Sequence, residues 1–343
     1  MTDAFIRVEG KAGRITLNRP QALNALTHQM CLDIEEAITD WAADDGVELI
    51  LIDAAGDRAF CAGGDIAKMY ETGTAGDFSY GRQFWTDEYR LNAKLKLYPK
   101  PIVTFLNGFT MGGGVGLGCH ASHRIVGESS QIAMPEVSIG LVPDVGGSMI
   151  LGHAPGRVGD YLAITAARMN AGDAIFSGFA DHYVPEADWP ELKAAMIETG
   201  QPEVPQHTAP ESPIKNQQAD IDTYFAGQTP GDILRLLQTS GSDFAAKAAK
   251  KLKQHSPLAM ACGLETLRRL RSTDDITRAL ELEYRFTARS MEHGDFIEGI
   301  RAQIIDKDKN PSWKHSIDAL PAVAVSQMLR PLGSDTLNLE DPS

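Results

Sequence analysis

Residues 107–118 read NGFTMGGGVGLG and follow an apolar run, residues 101–106, with the composition of a strand buried on both faces. An earlier apolar run, residues 47–54, also leads into a glycine-rich loop and then into a helix-like segment. Repeated alternation of strand, loop and helix is typical of α/β architecture. These stretches therefore predict an α/β fold in which glycine-rich loops follow buried strands.

Two shorter patterns extend this prediction towards the N-terminus. Runs of β-prone residues at 5–9 and 14–18 flank a Gly-Lys-Ala-Gly turn and predict a hairpin. Thr27 is the expected N-cap of a helix, because apolar residues recur every three or four positions from Met30 to Trp41.

After this α/β part, the sequence predicts a linker and then a helical region. Residues 201–213 contain four prolines within a polar stretch, which predicts a linker. We therefore place an α/β core with the ligand site at residues 1–200 and a helical region at residues 215–320. The polar residues 321–343 show no periodicity and are expected to form a loose tail.

The composition argues against several classes of protein. Of the 343 residues, 43% are hydrophobic and 23% are charged, as in ordinary globular domains. The formal net charge is −14, which argues against a nucleic-acid-binding surface. The four cysteines form no C-x-x-C pair, and no apolar stretch is long enough to span a membrane. Because the N-terminus shows no leader pattern, we expect a cytoplasmic protein that binds neither nucleic acid nor membrane.

The first glycine-rich loop lies in residues 59–66, which read AFCAGGDI. Consecutive glycines let a backbone approach a ligand closely with unobstructed N–H groups. The alternative is a tight strand-to-helix turn in which Asp65 serves as a helix N-cap. The loop by itself leaves both interpretations open.

The second glycine-rich loop holds five glycines within residues 112–118. If a helix begins near Gly113, its first N–H groups are free donors, suited to a phosphate or to the negative oxygen of a tetrahedral intermediate. Residues 116–121, GLGCHA, also fit a loose dinucleotide fingerprint, but about nine residues separate them from the strand. His120 and His123 have no third ligand nearby, which favours packing histidines over a metal site.

Residues 133–147, AMPEVSIGLVPDVGG, place two carboxylates eight positions apart in an apolar, loop-like stretch. Glu136 and Asp144 each follow a proline, which restricts the local backbone and should hold the acids stiffly. Apolar surroundings raise a carboxyl pKa towards the range useful for proton transfer. The same two residues could instead be surface acids or helix caps.

In this order and at these spacings, the three segments resemble the crotonase (enoyl-CoA hydratase/isomerase) superfamily. The resemblance implies a crotonase-like spiral of ββα units with a helical C-terminal region, and an acyl-CoA substrate. It also implies an oxyanion hole of two backbone N–H groups, which the motif positions assign to Gly64 and Gly113. The other loop residues expected to contact the substrate are Ala62, Gly63, Asp65 and Gly112.

Within the superfamily, the sequence is similar to the 3-hydroxyisobutyryl-CoA hydrolases. The matching segments are Pro135-Glu136, residues 140–147 (GLVPDVGG), residues 87–92 (DEYRLN), residues 256–258 (SPL), residues 281–285 (ELEYR), residues 295–302 (DFIEGIRA) and residues 305–311 (IDKDKNP). The similarity implies that Glu136 and Asp144 are the catalytic acids and that Glu88 contacts the substrate. Gly116 stands where the hydratases carry the first of their two glutamates, so an acid–base partner for hydration is missing.

The activity implied is hydrolysis of a short 3-hydroxyacyl-CoA thioester, with 3-hydroxyisobutyryl-CoA of valine catabolism as the leading candidate. Either Glu136 or Asp144 could be the nucleophile or base. We expect no metal and no cofactor, since CoA enters as part of the substrate, and the resemblance allows a trimer or hexamer. An enoyl-CoA hydratase/isomerase and a non-catalytic acyl-CoA-binding protein are the alternatives. The cations available for the CoA phosphates are Lys94, Lys96, Lys100, Arg268, Arg269 and Arg271.

Overall fold

The computed structural model of the chain describes residues 2–340. Its strands are β1 (Ala4–Glu9), β2 (Ala12–Leu17), β3 (Leu49–Ala54), β4 (Ala59–Cys61), β5 (Ile102–Phe105), β6 (Phe109–Met111), β7 (His123–Val126), β8 (Gln131–Ala133) and β9 (His182–Tyr183). They form a six-stranded sheet, ordered β1-β2-β3-β5-β7-β9, and a three-stranded sheet, ordered β4-β6-β8. Paired strands are parallel, except in the β1–β2 hairpin.

Three consecutive two-strand units connect the two sheets. In each unit the first strand joins the larger sheet and the second strand joins the smaller one: β3 with β4, β5 with β6, and β7 with β8. Because the strands of the smaller sheet are parallel, the loops that follow β4, β6 and β8 emerge at the same edge. The two glycine-rich loops and the turn at Glu136 therefore meet there.

The helices surround these sheets and form most of the second half of the chain. They are α1 (His28–Ala42), α2 (Ala67–Thr74), α3 (Ser79–Lys96), α4 (Gly113–Gly118), α5 (Gly147–His153), α6 (Val158–Thr165), α7 (Ala171–Phe176), α8 (Trp189–Thr199), α9 (Pro213–Asn216), α10 (Gln218–Tyr224), α11 (Pro230–Gln238), α12 (Asp243–Gln254), α13 (Pro257–Leu270), α14 (Ile276–His293), α15 (Phe296–Ile300) and α16 (Ala322–Leu329). Short 3₁₀ turns span Pro20–Ala22, Glu136–Ile139, Glu186–Asp188 and Gly333–Asp335, and a short π-helix spans Arg301–Ile305.

The local signals at the N-terminus are confirmed. The predicted hairpin is the antiparallel pair β1–β2. Thr27 caps α1, because its side-chain oxygen accepts a hydrogen bond from the backbone N–H of Met30 at 3.2 Å. A Cβ at Gly13 would lie 2.4 Å from the Trp41 ring, so the glycine lets α1 pack directly on the hairpin. The buried strands expected at residues 47–54 and 101–106 are present and slightly shorter.

A buried ion-pair network fixes α3 against α1. The Arg90 guanidinium donates two hydrogen bonds to the Glu35 carboxylate, at 2.6 and 2.7 Å, and a third to Asp87 at 3.0 Å. Bidentate pairs of this kind hold both side chains in one geometry. The network therefore sets the rotation of α3 and, with it, the direction in which Glu88 points.

One hydrophobic core runs through the α/β part and the helical region. It reaches α16, where Met328 and Leu329 are buried and the Arg289 guanidinium donates to the Met328 and Arg330 carbonyls. The expectation of a loose tail from residue 321 is therefore corrected, because a short helix of this kind depends on tertiary packing that sequence periodicity does not show. Residues 341–343 of that predicted tail lie outside the described residues.

Candidate active site

A cavity of about 410 Å³ lies where the loops after β4, β6 and β8 meet. It brings together all the site residues predicted from the sequence, namely Ala62, Gly63, Gly64, Asp65, Glu88, Gly112, Gly113, Glu136 and Asp144. Much of the remaining wall is apolar and comes from Met69, Phe84, Trp85, Leu141, Val145, Phe296 and Ile304. The arrangement is a concave apolar pocket with a few convergent polar groups, as is usual for small-molecule sites.

The loop after β4 is held by hydrogen bonds that leave one amide free. The Ala62 N–H donates to the Leu23 carbonyl at 3.0 Å, and the Asp65 N–H donates to the Leu26 carbonyl at 2.8 Å. Leu26 N–H in turn donates to the Gly63 carbonyl at 2.9 Å. Within residues 2–340 no acceptor faces the Gly64 N–H, so this donor is available to a ligand in the cavity.

The triple-glycine loop lies directly beside this amide. A Cβ at Gly113 would lie 3.4 Å from the Gly64 nitrogen and 2.6 Å from Oε1 of Glu88. A Cβ at Gly112, which has a φ of +50°, would lie 3.0 Å from Oε1 of Glu136. Gly113 is the first residue of α4, so its N–H has no partner inside the helix. Only glycine lets both carboxyl groups and the two amides approach so closely.

Three carboxyl groups reach this cavity from buried positions. Glu88, Glu136 and Asp144 are each 4% exposed. Burial and the nearby Asp144 raise the pKa of Glu88 to about 8, and burial raises the pKa of Asp144 to about 7. Burial and the charge of Asp144 raise the pKa of Glu136 well above its usual value. These raised pKa values bring proton exchange of the three groups towards neutral pH, so the cluster can supply both an acid and a base.

The carboxyl groups differ in how many partners they already have. Oε1 of Glu88 and Oε2 of Glu136 are buried and have no hydrogen-bond partner within residues 2–340. Asp144 accepts a hydrogen bond from the Tyr89 hydroxyl at 2.7 Å. A buried polar atom without a partner is costly and marks a place where a ligand or water completes the hydrogen bonds. Glu88 and Glu136 thus each have a buried oxygen atom free for a substrate.

The backbone around Asp144 is clamped from two sides. Val145 adopts a φ of +53°, a strained conformation for a β-branched residue. Its carbonyl is 2.7 Å from Nε2 of His120, whose burial lowers its pKa to about 4 and keeps the ring neutral. His120 is therefore a positioning group for the Asp144 loop. His123 lies apart from it, stacked with His182 at 6.3 Å, so the two histidines do not converge on a metal.

The second clamp is Glu283, which the sequence analysis missed. Glu283 is fully buried on α14 and accepts hydrogen bonds from the Gly146 N–H at 2.8 Å and from the N–H and hydroxyl of Ser148. Burial raises its pKa to about 8. In the sequence it lies within residues 281–285 (ELEYR), one of the segments similar to the hydrolases, but that similarity assigned it no role. The contact joins α14 to the loop that carries Asp144.

We expect Glu283→Ala to lower the free energy of unfolding by about 3–5 kcal/mol, because it creates a buried cavity and leaves the donors of Gly146 and Ser148 unpaired. Glu283→Gln keeps the shape and one acceptor and should cost about 1–2 kcal/mol. Urea unfolding at pH 7 measures both. Glu292→Ala, on an exposed turn of the same helix, is the matched control. Equal losses in Glu283→Ala and the control would contradict this role.

The helical region closes one side of the cavity. Asp295 packs its backbone against Gly140, where a Cβ would lie 2.6 Å from the Asp295 carbonyl carbon. Gly299 packs against Ile139 in the same way, because a Cβ there would lie 2.1 Å from the Ile139 carbonyl oxygen. Gly140 and Ile139 belong to the turn that follows Glu136. The DFIEGIRA segment therefore supports the Glu136 turn, and its Phe296 lines the cavity.

The position of Gly116 is closed to any side chain. A Cβ there would lie 2.8 Å from Nδ2 of Asn92 and 2.7 Å from Cβ of Val145. Asn92 is fully buried on α3, one turn after Glu88. A glutamate could not occupy position 116 unless Asn92 and Val145 moved. Gly116 and Gly118 are buried within α4, and neither lines the cavity.

Two possibilities that the sequence left open are not seen at this cavity. Asp65 does not cap a helix: α2 begins at Ala67, and the Asp65 carboxylate pairs with Arg19 at 3.1 Å. None of the six cations proposed for the CoA phosphates lines the cavity. Lys100 and Arg268 donate hydrogen bonds to backbone carbonyls outside the cavity wall. The positions of these residues in the sequence do not predict which cations face the cavity.

A family model described as enoyl-CoA hydratase/isomerase matches residues 12–329. The chain belongs to this family. Among curated relatives, the mitochondrial 3-hydroxyisobutyryl-CoA hydrolase of Gallus gallus is 35% identical over 98% of this chain and 91% of its own length. The enzymes of that name from Danio rerio and Homo sapiens are 38% and 36% identical over 90% and 91% of this chain, and each is covered over 84% of its length. The family predicted from the motifs is confirmed.

Solved structures confirm the crotonase-like fold with its helical C-terminal region. A crystal structure described as an enoyl-CoA hydratase from Rhodobacter sphaeroides has a TM-score of 0.96 and 54% identity, covering 98% of this chain and 100% of that chain. A carnitinyl-CoA dehydratase from Mycobacterium thermoresistibile has a TM-score of 0.93 and 38% identity over the whole of both chains. Their descriptions name a hydratase and a dehydratase, whereas the curated relatives are named hydrolases. No helix within residues 2–340 has the length and apolar composition needed to cross a bilayer.

Proposed function

We propose that the protein hydrolyses a short 3-hydroxyacyl-CoA thioester, with 3-hydroxyisobutyryl-CoA of valine catabolism as the preferred substrate. The observation that carries the proposal is the amide pair of Gly64 and Gly113 beside the buried acids Glu88, Glu136 and Asp144. Curated relatives named for this activity, 35–38% identical over most of the chain, support the choice of substrate. A cytoplasmic location and assembly into trimers or hexamers stay predictions, and the relatives themselves are named mitochondrial.

The amide pair would bind the thioester carbonyl oxygen. The N–H groups of Gly64 and Gly113 would donate to this oxygen and stabilise the negative charge that it acquires as the carbonyl carbon becomes tetrahedral. Backbone donors are fixed before the reaction, so their reorganisation costs little. Removing one such donor typically lowers the rate by about 10²–10³-fold.

Glu136 would be the reacting carboxylate, because it lines the cavity and its Oε2 has no hydrogen-bond partner within residues 2–340, whereas Asp144 is already bonded to Tyr89. In one route Glu136 attacks the carbonyl carbon, CoA thiolate leaves, and water opens the resulting mixed anhydride. In the other route Glu136 takes a proton from a water molecule that attacks directly. Both routes consume one water and release a carboxylic acid and CoA thiol. Asp144 and Glu88 would bind the 3-hydroxyl group and return a proton to the thiolate.

Hydration of an enoyl-CoA is the second candidate, favoured by the descriptions of the two similar crystal structures. The family's hydration chemistry uses two glutamates, and here Gly116 occupies the first position. Asn92 and Val145 fill the space that such a side chain would need. This packing supports hydrolysis over hydration. Intact acids and free amides likewise speak against a binding protein without activity.

The test is to follow free CoA thiol released from 3-hydroxyisobutyryl-CoA, with crotonyl-CoA assayed in parallel for loss of its double bond. We expect thiol release from the first substrate and little change in the second. Loss of the crotonyl double bond without thiol release would favour hydration. Tight binding of both thioesters with no turnover would favour the non-catalytic alternative.

The Tyr89→Phe variant should shift the rising limb of kcat/KM against pH to higher pH. Activity needs the ionised form of the acid pair Glu136 and Asp144, which titrate together because the charge of one acts on the other. The Tyr89 hydrogen bond favours ionisation by lowering the pKa of Asp144, which burial raises to about 7. Without that bond the pKa rises, so the ionised fraction at pH 6 falls. A hydrogen bond to a charged group contributes about 1.5 kcal/mol or more, so we expect about tenfold lower activity at pH 6 and a smaller loss at pH 9.

The matched control for this pH profile is Tyr98→Phe. The Tyr98 hydroxyl donates to the Ile38 carbonyl at 2.7 Å, away from the cavity. This variant should keep the wild-type pH profile. A rising limb at the same pH in Tyr89→Phe and the control would contradict the role of the Asp144 pKa.

A further inference from the structure

A cavity of about 650 Å³ lies in the helical region and is larger than the active-site cavity, of about 410 Å³. One wall is α13, which contributes Pro257, Ala261, Glu265 and Arg268. Spacings of three and four residues place these side chains on one face of the helix. Helix α16 and the chain on either side of it form another wall, so we name this space the C-terminal cavity. Within residues 2–340, no residue that lines it also lines the active-site cavity.

The wall on the side of α16 is largely apolar. Val325 and Leu329 lie one turn apart on this helix and line the cavity together with Ile317 and Leu320 from the preceding chain. An apolar ligand group that covers such a wall removes it from water, which favours binding. The cavity volume also lies within the range of about 300–1,000 Å³ that is usual for small-molecule sites.

The C-terminal cavity also concentrates positive charge in an acidic protein. Five arginines and two carboxylates line it, which gives its lining a formal charge of +3. The whole chain carries a formal net charge of −14. A concave space with this local excess of cations attracts an anion. The charged residues of the lining are Arg235, Arg268, Arg269, Arg285, Arg330, Glu265 and Asp318.

Two of these arginines have donors that the protein leaves incompletely paired. The Arg285 side chain is 12% exposed and donates to Glu281 at 2.6 Å, but its Nε is buried without a hydrogen-bond partner within residues 2–340. Arg268 donates to the carbonyls of Gln228 and Gly227, at 2.6 and 3.0 Å, and forms no ion pair in the described chain. A buried donor without an acceptor is costly, and a carboxylate is the acceptor that best matches a guanidinium. A ligand carboxylate would supply what these groups lack.

We propose that the C-terminal cavity binds an amphiphilic carboxylate, with its carboxylate paired to the arginines and its apolar chain against the α16 wall. A small inorganic anion would leave the apolar wall uncovered, and a neutral apolar molecule would leave Nε of Arg285 without an acceptor. The proposal does not depend on the reaction catalysed at Glu136. Because the two cavities share no lining residue within residues 2–340, both can be occupied at the same time.

The test is calorimetric titration with octanoate of the wild type and of the variants Arg285→Ala, Val325→Ser and Arg278→Ala. Arg278 is the matched control, because it lies on α14 and pairs with Glu281 at 3.4 Å but does not line the cavity. We expect Kd to rise about tenfold in Arg285→Ala and about fivefold in Val325→Ser, and to stay unchanged in Arg278→Ala. Thermal unfolding shows whether each variant folds. If Arg285→Ala does not, Val325→Ser decides the outcome.

Further ligands separate the two parts of the proposed molecule. Acetate lacks the apolar chain and 1-octanol lacks the charge, so each should bind about tenfold more weakly than octanoate, as should inorganic phosphate. Titration of Glu136→Gln saturated with 3-hydroxyisobutyryl-CoA should give the same Kd for octanoate as titration without the thioester. Displacement by the thioester would place octanoate in the active site and overturn the proposal. Equal affinity for octanoate in the wild type, Arg285→Ala and Val325→Ser would also overturn it.

Discussion

Replacing Glu136 with glutamine is expected to lower kcat/KM for thiol release from 3-hydroxyisobutyryl-CoA by about a thousandfold. Glutamine can neither attack the carbonyl carbon nor accept a proton from water, and a positioned carboxylate contributes about 10²–10⁴ to such reactions. The Glu136 side chain lies against Gly112 in a buried site that already favours the neutral carboxyl. The neutral amide should therefore fit without loss of stability. Initial rates of thiol release, measured beside thermal unfolding, check both statements.

The control for this variant is Glu71→Gln, because Glu71 is an exposed glutamate on α2 outside the cavity. It should retain wild-type activity. If Glu136→Gln kept more than about a tenth of wild-type activity, Glu136 could not be the reacting group. The assignment would then pass to Asp144.

The second large effect is expected for Gly113→Ala, which should lower kcat/KM by about 10²–10³-fold. The added Cβ would meet Oε1 of Glu88 at 2.6 Å and approach the Gly64 nitrogen at 3.4 Å. It would displace Glu88 and narrow the space in which the carbonyl oxygen is bound. Thiol release is the measurement, and Gly241→Ala, where a Cβ meets nothing within 4 Å, is the control.

A second variant separates loss of the amide pair from loss of folding. A Cβ at Gly64 would have no neighbour closer than 3.9 Å, so Gly64→Val should fold and project into the cavity. We expect a loss similar to that of Gly113→Ala, with an unchanged unfolding midpoint. Normal activity in Gly64→Val would contradict the role assigned to the two amides.

The sequence predicted the elements whose signals are local. Thr27 precedes an apolar helical pattern and caps α1. The glycine-rich loops could be recognised because clustered glycines after a buried strand indicate a close approach of the backbone to a ligand or another segment. Glu136 and Asp144 could be selected as candidate site residues because they lie in apolar stretches that contain proline. Carboxylates are rarely buried in such surroundings without a partner. The residues expected at the site accordingly line one cavity.

What the sequence could not provide were contacts between distant segments. Glu283 lies 139 positions after Asp144 and looks like a surface residue on α14, yet it holds the Asp144 loop through Gly146 and Ser148. Helix α16 depends in the same way on α14, through Arg289. The arginines of the C-terminal cavity converge only after folding. Such pairings depend on topology, which local patterns do not encode.

The most direct test of the central claim is a product analysis of 3-hydroxyisobutyryl-CoA incubated with the wild-type protein. One sample is assayed for free CoA thiol, for 3-hydroxyisobutyrate and for the unsaturated thioester that loss of water would give. The account predicts thiol and 3-hydroxyisobutyrate in equal amounts, with no unsaturated thioester. Accumulation of the unsaturated thioester without free thiol would contradict it and identify a hydratase working in reverse.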